Sequence, residues 1–230
     1  LESNNIPYIF FDAINPTKIL IDNSLRQFKI KKYPNSIEYI KFYWRVERVR
    51  RKLYKKNSYF VDPSIGENYI YMPLHLIPES TTFVKAPLYI NELNIIEAVS
   101  KSLPIGWYLY VKEHQAMIGE RGLDFYRKVN QLSNVKMVQF NHYVDPKPWI
   151  QNSKGVIAIS GTGAYEAAML GKNSIVFADV PFALIEGVYH VRSFQELPSL
   201  IASFGPIDNM KSCASYIAAI KSTGKDINLK

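Results

Sequence analysis

The chain has 230 residues, 47% of them apolar, 13% aromatic and 21% charged, a composition that buries a core and excludes global disorder. Its single cysteine, Cys213, excludes an intrachain disulfide framework and a cysteine-cluster zinc site, and no apolar run approaches the ~20 residues of a membrane span. The formal charge of +8 invites a polyanion, but twelve basic residues between Arg26 and Lys56 stand against only Glu38 and Glu47, a net of +10 that leaves −2 for the rest.

Residues 1–67 differ in pattern from the rest of the chain and are expected to form a basic helical segment and linker. Ile6 to Ile21 is an apolar stretch broken by Pro7 and Pro16. Ser36 to Tyr54 reads as an amphipathic helix, with Ile37, Ile40, Tyr43, Trp44, Val46, Val49 and Leu53 largely on one side and basic residues between them. Asn57 to Glu67, with Asp62-Pro63-Ser64 and Gly66, has linker chemistry. Leu1-Glu2-Ser3-Asn4 shows no signal-peptide pattern and no Met, so the expectation is a piece of a longer protein in a reducing, cytoplasmic compartment.

Residues 68–230 are expected to form one α/β domain. Strands are predicted at Tyr69–Met72, Trp107–Val111, Val135–Phe140, Val156–Ile159 and Ser174–Phe177. Helices are predicted from near Pro87 to Leu103, over Leu123–Leu132, after Asp145-Pro146 as far as Lys154-Gly155, and over Thr162–Leu170 up to Gly171. Ser193-Phe194-Gln195-Glu196 has capping-box spacing and opens a helix to about Phe204. A last helix runs from about Asp208 to Thr223. Short apolar strands alternating with helices imply a parallel sheet covered on both faces, with ligands held at the carboxyl ends of its strands.

The loops after the strands are therefore the places to look for chemistry. Ser160-Gly161-Thr162-Gly163 leaves a strand and enters a helix, where glycine lets backbone approach a phosphate closely and Glu166 can accept from ribose hydroxyls. The alternative is an ordinary strand-to-helix turn with Glu166 favoured by the helix dipole. Lys112-Glu113-His114 offers a cation and an imidazole, and Gly119-Glu120-Arg121-Gly122 offers a guanidinium fork, against the alternative of solvated or packed side chains. His75 and Glu79 sit four apart in a loop stiffened by Pro73 and Pro78. Among His75, His114, His142 and His190 there is no helical ligand spacing, so no metal is expected. For His142, His190 and Asp145, packing or capping is the expected role.

Tyr71-Met-Pro-Leu-His75 with Pro78-Glu79-Ser80-Thr81, Val111-Lys112-Glu113-His114, Gly119-x-Arg121 with Phe125-Tyr126, and Gly161-Thr162-Gly163 with Glu166-Ala167 and Gly171-Lys172 together resemble one family. These motifs, over roughly residues 68–203, resemble bacterial capsule and surface-polysaccharide biosynthesis proteins, whose nucleotide-sugar half is the Rossmann-like C-terminal domain of a GT-B glycosyltransferase. One position departs: Gln115 stands where many relatives carry proline.

The resemblance implies a donor site for a nucleotide-activated sugar, with the nucleotide and its phosphates held by Lys112, His114, Arg121 and Ser160, Gly161, Thr162, Gly163 and Glu166. It places His75 and Glu79 nearer the reacting centre, as the candidate catalytic residues. No cofactor is implied, the nucleotide-sugar being a substrate, and the acceptor would be a saccharide or lipid-linked chain. GT-B chemistry needs a second domain, so the expectation is the donor-binding half, and turnover by this chain alone is not predicted. The alternatives are a UDP-sugar 2-epimerase of the same general fold and a non-catalytic nucleotide-binding or interaction module. Residues 26–56 are expected to meet an anionic membrane surface, at its cytoplasmic side, or the missing N-terminal domain. Nucleic acid is the less favoured partner, although aromatics interleave with the charges.

Overall fold

The computed structural model describes residues 36–55, 59–61, 64, 66–138 and 145–224. Its centre is a six-stranded, wholly parallel sheet made of β1 (Asn68–Pro73), β2 (Trp107–Lys112), β3 (Val135–Val138), β4 (Gly155–Ala158), β5 (Asn173–Val176) and β6 (Val188–His190). The spatial order is β3-β2-β1-β4-β5-β6. This is the doubly wound, Rossmann-like arrangement, and the progression reverses between β1 and β4.

Around the sheet lie α1 (Ser36–Lys55), α2 (Ser80–Lys85), α3 (Glu92–Ser102), α4 (Leu123–Asn130), α5 (Lys147–Asn152), α6 (Gly163–Met169), α7 (Leu197–Ala202) and α8 (Met210–Thr223). Alternation along β1 divides the core in two. Ile70 and Met72 join Leu109, Val111 and the apolar stripes of α3 and α4 on one side. Tyr69 and Tyr71 join Tyr110, Val156, Ile150 of α5 and Ala167 of α6 on the other.

The predicted strands are present, β3 being described as far as Val138, and β6 was missed because three residues at a sheet edge carry no period. The helix predicted from Pro87 starts instead with a 3₁₀ turn, Pro87–Tyr89, and α3 begins afresh after Asn91. The capping box at Ser193 is formed, with Ser193 Oγ accepting from Gln195 N and Glu196 Oε1 accepting from Ser193 N, and it opens a 3₁₀ turn ahead of α7. The helix expected after the Asp145 cap starts one residue later, at Lys147, with Pro146 at the cap position, and Asp145 Oδ1 accepts from Lys147 N at 2.9 Å from just outside it.

The basic helix is narrower in its apolar stripe than the sequence suggests. Val46, Val49 and Leu53 are buried against the sheet domain, whereas Trp44 is 65% exposed. Two residues of helix turn Trp44 about 160° away from Val46, so it cannot share that stripe. One cation of the segment is structural: Arg50 Nε donates to Ile118 O at 2.7 Å. The close approach is possible because Gly119, at φ +90, has no side chain to meet Val46 O and Arg50. In the predicted linker, Phe60 is buried in the core and Val61 N donates to Met137 O, so these residues extend the sheet's edge at β3. Ile6 to Ile21, residues 26–35 and His142 lie outside the described residues.

Candidate functional site

The reversal between β1 and β4 opens a crevice at the carboxyl ends of the strands, and a cleft of about 460 Å³ lies there, within the size range of ligand pockets. The loop after β1 brings His75 and Glu79 to it, the end of β2 brings Lys112 and His114, and the turn after β4 brings Ser160, Gly161, Thr162 and Gly163, with Glu166 from the first turns of α6. Residues 75 to 166 are thus gathered by topology alone. Arg121 is the one candidate that does not line the cleft.

The wall between β1 and β4 is closed by contacts within the protein. Ser160 N donates to His75 Nε2 at 3.3 Å, so that nitrogen is the acceptor and Nδ1 holds the ring proton toward Glu92 Oε1, 3.3 Å away. Glu92 Oε1 also accepts from His75 N at 2.7 Å. Both ring nitrogens are committed, and His75 is a strut between the two loops rather than a free base. The glycines serve the same closure. A Cβ on Gly161 would stand 3.0 Å from His75 Nε2, and one on Gly163 would stand 3.1 Å from Pro73 Cγ. The side of each glycine that a Cβ would take is filled by the β1 loop, while both residues still line the cleft.

Beneath this wall lies a buried charge network. Arg121 Nη2 is 2.5 Å from Glu92 Oε2 and donates to His75 O at 2.8 Å, while Nε reaches Glu113 Oε2 at 3.0 Å. Its guanidinium also lies 4.9 Å over the Phe125 ring. Glu113 accepts further bonds from His114 N at 2.7 Å and from the Tyr126 hydroxyl at 2.9 Å. Burial pushes the Glu113 carboxyl above its ordinary range, against the pull of Arg121 and its hydrogen bonds. For Arg121, burial acts downward but Glu113 and Glu92 outweigh it and hold the charge in place. The expectation that Arg121 forks onto a phosphate is therefore replaced by a structural role, because two buried carboxylates already occupy the fork.

The β2 side is different. Among the described residues no carboxylate comes within 4.0 Å of the Lys112 ammonium. Burial lowers its pKa below that of an ordinary lysine, while Asp145 and Glu166 act in the opposite direction. His114 Nδ1 accepts from Ala116 N at 3.2 Å, so the neutral ring carries its proton on Nε2. Burial also lowers the His114 pKa, opposed by the nearby Glu79 carboxylate. Glu79 is the residue before α2 and makes no side-chain cap there. Across the cleft, Thr162 Oγ1 donates to Glu166 Oε1 at 3.3 Å. The arrangement sets a lone ammonium and a neutral imidazole donor on one wall, facing the carboxylates of Glu79 and Glu166.

Glu92 and the supporting role of Glu113 were missed from sequence. Glu113 could have been found: in an extended Lys112-Glu113-His114, alternation turns the middle residue away from its two neighbours. Glu92 reads as an ordinary acid at a helix start, and no local signal announces its burial. A second concavity, of about 970 Å³, lies along α1, where Trp44, Arg45, Arg48, Arg51 and Lys52 face Leu123 and Arg127.

No protein-family model matches the sequence, and no curated protein matches it. Among solved structures, the chain is similar to Thermosulfurimonas dismutans KpsC, a beta Kdo 2,7 transferase, at 15% identity and a TM-score of 0.46 over 88% of this chain and 67% of that one. It is also similar to the UDP-GlcNAc 2-epimerase of Methanocaldococcus jannaschii, at 16% identity and a TM-score of 0.48 over 77% of this chain and 50% of that one. A structure of that epimerase in complex with UDP-GlcNAc and UDP matches at 16% identity and a TM-score of 0.46, over 89% of this chain and 53% of the other. The chain thus spans about half to two thirds of these structures. At such identities no residue role passes from them to this chain.

Proposed function

We propose that the cleft binds a nucleotide-activated sugar and that this chain is the donor-binding part of a GT-B-type glycosyltransferase acting in surface-polysaccharide synthesis. The observation that carries the reading is the Lys112 ammonium at the end of β2, half-buried in the switch-point cleft without a carboxylate partner among the described residues. A desolvated cation without a carboxylate beside it is suited to an anionic ligand, and its field is strong where water is thinned. The motif resemblance supports the identity of that anion as the phosphates of a sugar nucleotide.

In transfer, the bond from the anomeric carbon to the leaving phosphate breaks as the acceptor oxygen bonds to the same carbon. Lys112 and the His114 Nε2 proton would stabilise charge growing on the leaving phosphate. Glu166 would accept from sugar or ribose hydroxyls. Of the two residues expected near the reacting centre, His75 is held as a strut, which leaves Glu79 as the carboxylate able to take a proton from the acceptor hydroxyl. The acceptor itself would be presented by another domain or protein.

Calorimetric titration with UDP, CMP, CDP and GDP tests the reading. One of the four is expected to bind, and Lys112→Met to weaken it about 10- to 100-fold, the worth of one charge-assisted hydrogen bond. Absence of binding by all four, with the sheet folded, overturns it.

A further inference from the structure

Among the described residues the buried tyrosines pair their hydroxyls, with one exception. Tyr69 donates to Trp149 O at 2.7 Å, Tyr126 donates to Glu113 Oε2 at 2.9 Å, and Tyr110 donates to Glu67. Tyr71 is 1% exposed, and its hydroxyl has no hydrogen-bond partner among the described residues. Tyr71 is also the one of the four that lines the cleft. A buried hydroxyl left unpaired costs about 1–3 kcal/mol, and such groups are rare in folded proteins. A phenylalanine at this position would keep the ring in the core cluster it shares with Tyr69, Val156 and Ala167 without that cost. Two more buried hydroxyls are unpartnered among the described residues, Thr82 Oγ1 and Ser160 Oγ, and of these Ser160 also lines the cleft.

The surroundings say what kind of atom is missing. Burial, then the charge of Glu166, then Tyr69 push the Tyr71 phenol far above its ordinary range, so it keeps its proton and serves as a donor. Tyr71, Lys112 and Glu166 line the same cleft, so phenol, ammonium and carboxylate share it, and the Lys112 ammonium feels the same Glu166 charge. Two donors and one acceptor fit an oxygen that accepts from the donors, either a phosphate oxygen or a hydroxyl that donates onward to Glu166.

We propose that the Tyr71 hydroxyl, with Ser160 Oγ as the second member, is a specificity-determining contact that donates to an oxygen of the bound ligand. A site built around such a hydroxyl selects a hydroxylated or phosphorylated molecule and rejects the analogue lacking that oxygen, because the phenol is then left unpaired in the complex. This inference rests on the reading of the cleft as a nucleotide-sugar site and assigns which of its walls selects.

The test compares the whole chain with Tyr71→Phe and Ser160→Ala, by thermal unfolding without ligand and by titration with UDP, CMP, CDP and GDP and their nucleosides. Without ligand, Tyr71→Phe is expected to melt at the wild-type temperature or above. Its affinity for the nucleotide that binds wild type is expected to fall about 10-fold, the low end of a buried hydrogen bond to a charged ligand, and that of Ser160→Ala to fall less. If the loss persists on the nucleoside, the oxygen is a hydroxyl; if it disappears there, the oxygen belongs to a phosphate. A Tyr71→Phe protein that melts earlier, or that binds as wild type does, overturns the assignment while leaving the donor site standing. Failure of wild type to bind any of the four nucleotides removes the donor reading and this inference together.

Discussion

The two walls of the cleft are built from the same kinds of residue and put them to opposite uses. On the β1 and β4 side, His75 is spent on Ser160 and Glu92, and beneath that wall, outside the cleft lining, Arg121 is spent on Glu92 and Glu113. On the β2 side, Lys112 has no carboxylate within 4.0 Å among the described residues, and His114 uses only Nδ1. Residue type therefore does not identify a ligand contact in this cleft. What separates scaffold from contact is whether the polar atoms are already paired inside the protein.

Arg121 offers the hardest way to break this contrast. Arg121→Met leaves Glu92 and Glu113 buried without their counter-charge, so chemical unfolding should register a loss of about 3–5 kcal/mol. The nucleotide affinity of whatever fraction folds should fall less than in Lys112→Met. An affinity loss equal to that of Lys112→Met at wild-type stability would return Arg121 to the phosphate and erase the distinction between the walls.

Gly161→Ala tests the closed wall with a smaller change. The new methyl would meet His75 Nε2 at 3.0 Å, and His75 cannot retreat without giving up Ser160 N or Glu92. Overpacking of this kind costs about 1–3 kcal/mol, which a thermal or urea transition resolves. If the glycine is instead reserved for a ligand's approach, stability should hold while nucleotide affinity falls.

The same contrast explains how far the sequence could be read. Parallel strands and their flanking helices were legible because their signals are local: apolar runs, the capping box at Ser193, and the stop at Gly171, which takes φ +67. The gathering of His75, Glu79, Lys112, His114 and residues 160–166 was legible too, since strand ends converge in such a sheet. Partnering was not. Glu92 lies 29 residues before Arg121 in the sequence, and no spacing rule couples them; only the packing of α3 against the β1 loop does. That Gly161 and Gly163 also make room for His75 and Pro73 was equally hidden, because a sequence shows a missing side chain but not what lies in its place.

His114 carries the smallest expected effect. Its folded pKa lies below 6.5, chiefly through burial. Well above the ordinary histidine range the ring is neutral in both folded and unfolded chains. As pH falls from 6.5 toward the lowered folded value, the unfolded chain takes up the proton first, so stability from this group is lost on acidification across that window. A bound phosphate opposes this by favouring the charged ring, and must raise the His114 pKa if it lies against Nε2. Affinity for the nucleotide should then rise between pH 8 and pH 6, by less than about 10-fold, the equivalent of one pKa unit. His114→Gln should lose that rise while binding within a few-fold of wild type at pH 8, whereas Lys112→Met should bind weakly at both. The ligand's own phosphate titration is common to all three proteins and cancels in the comparison. An identical pH slope in wild type and His114→Gln would move the imidazole out of the contact set and leave Lys112 as the cation of the open wall.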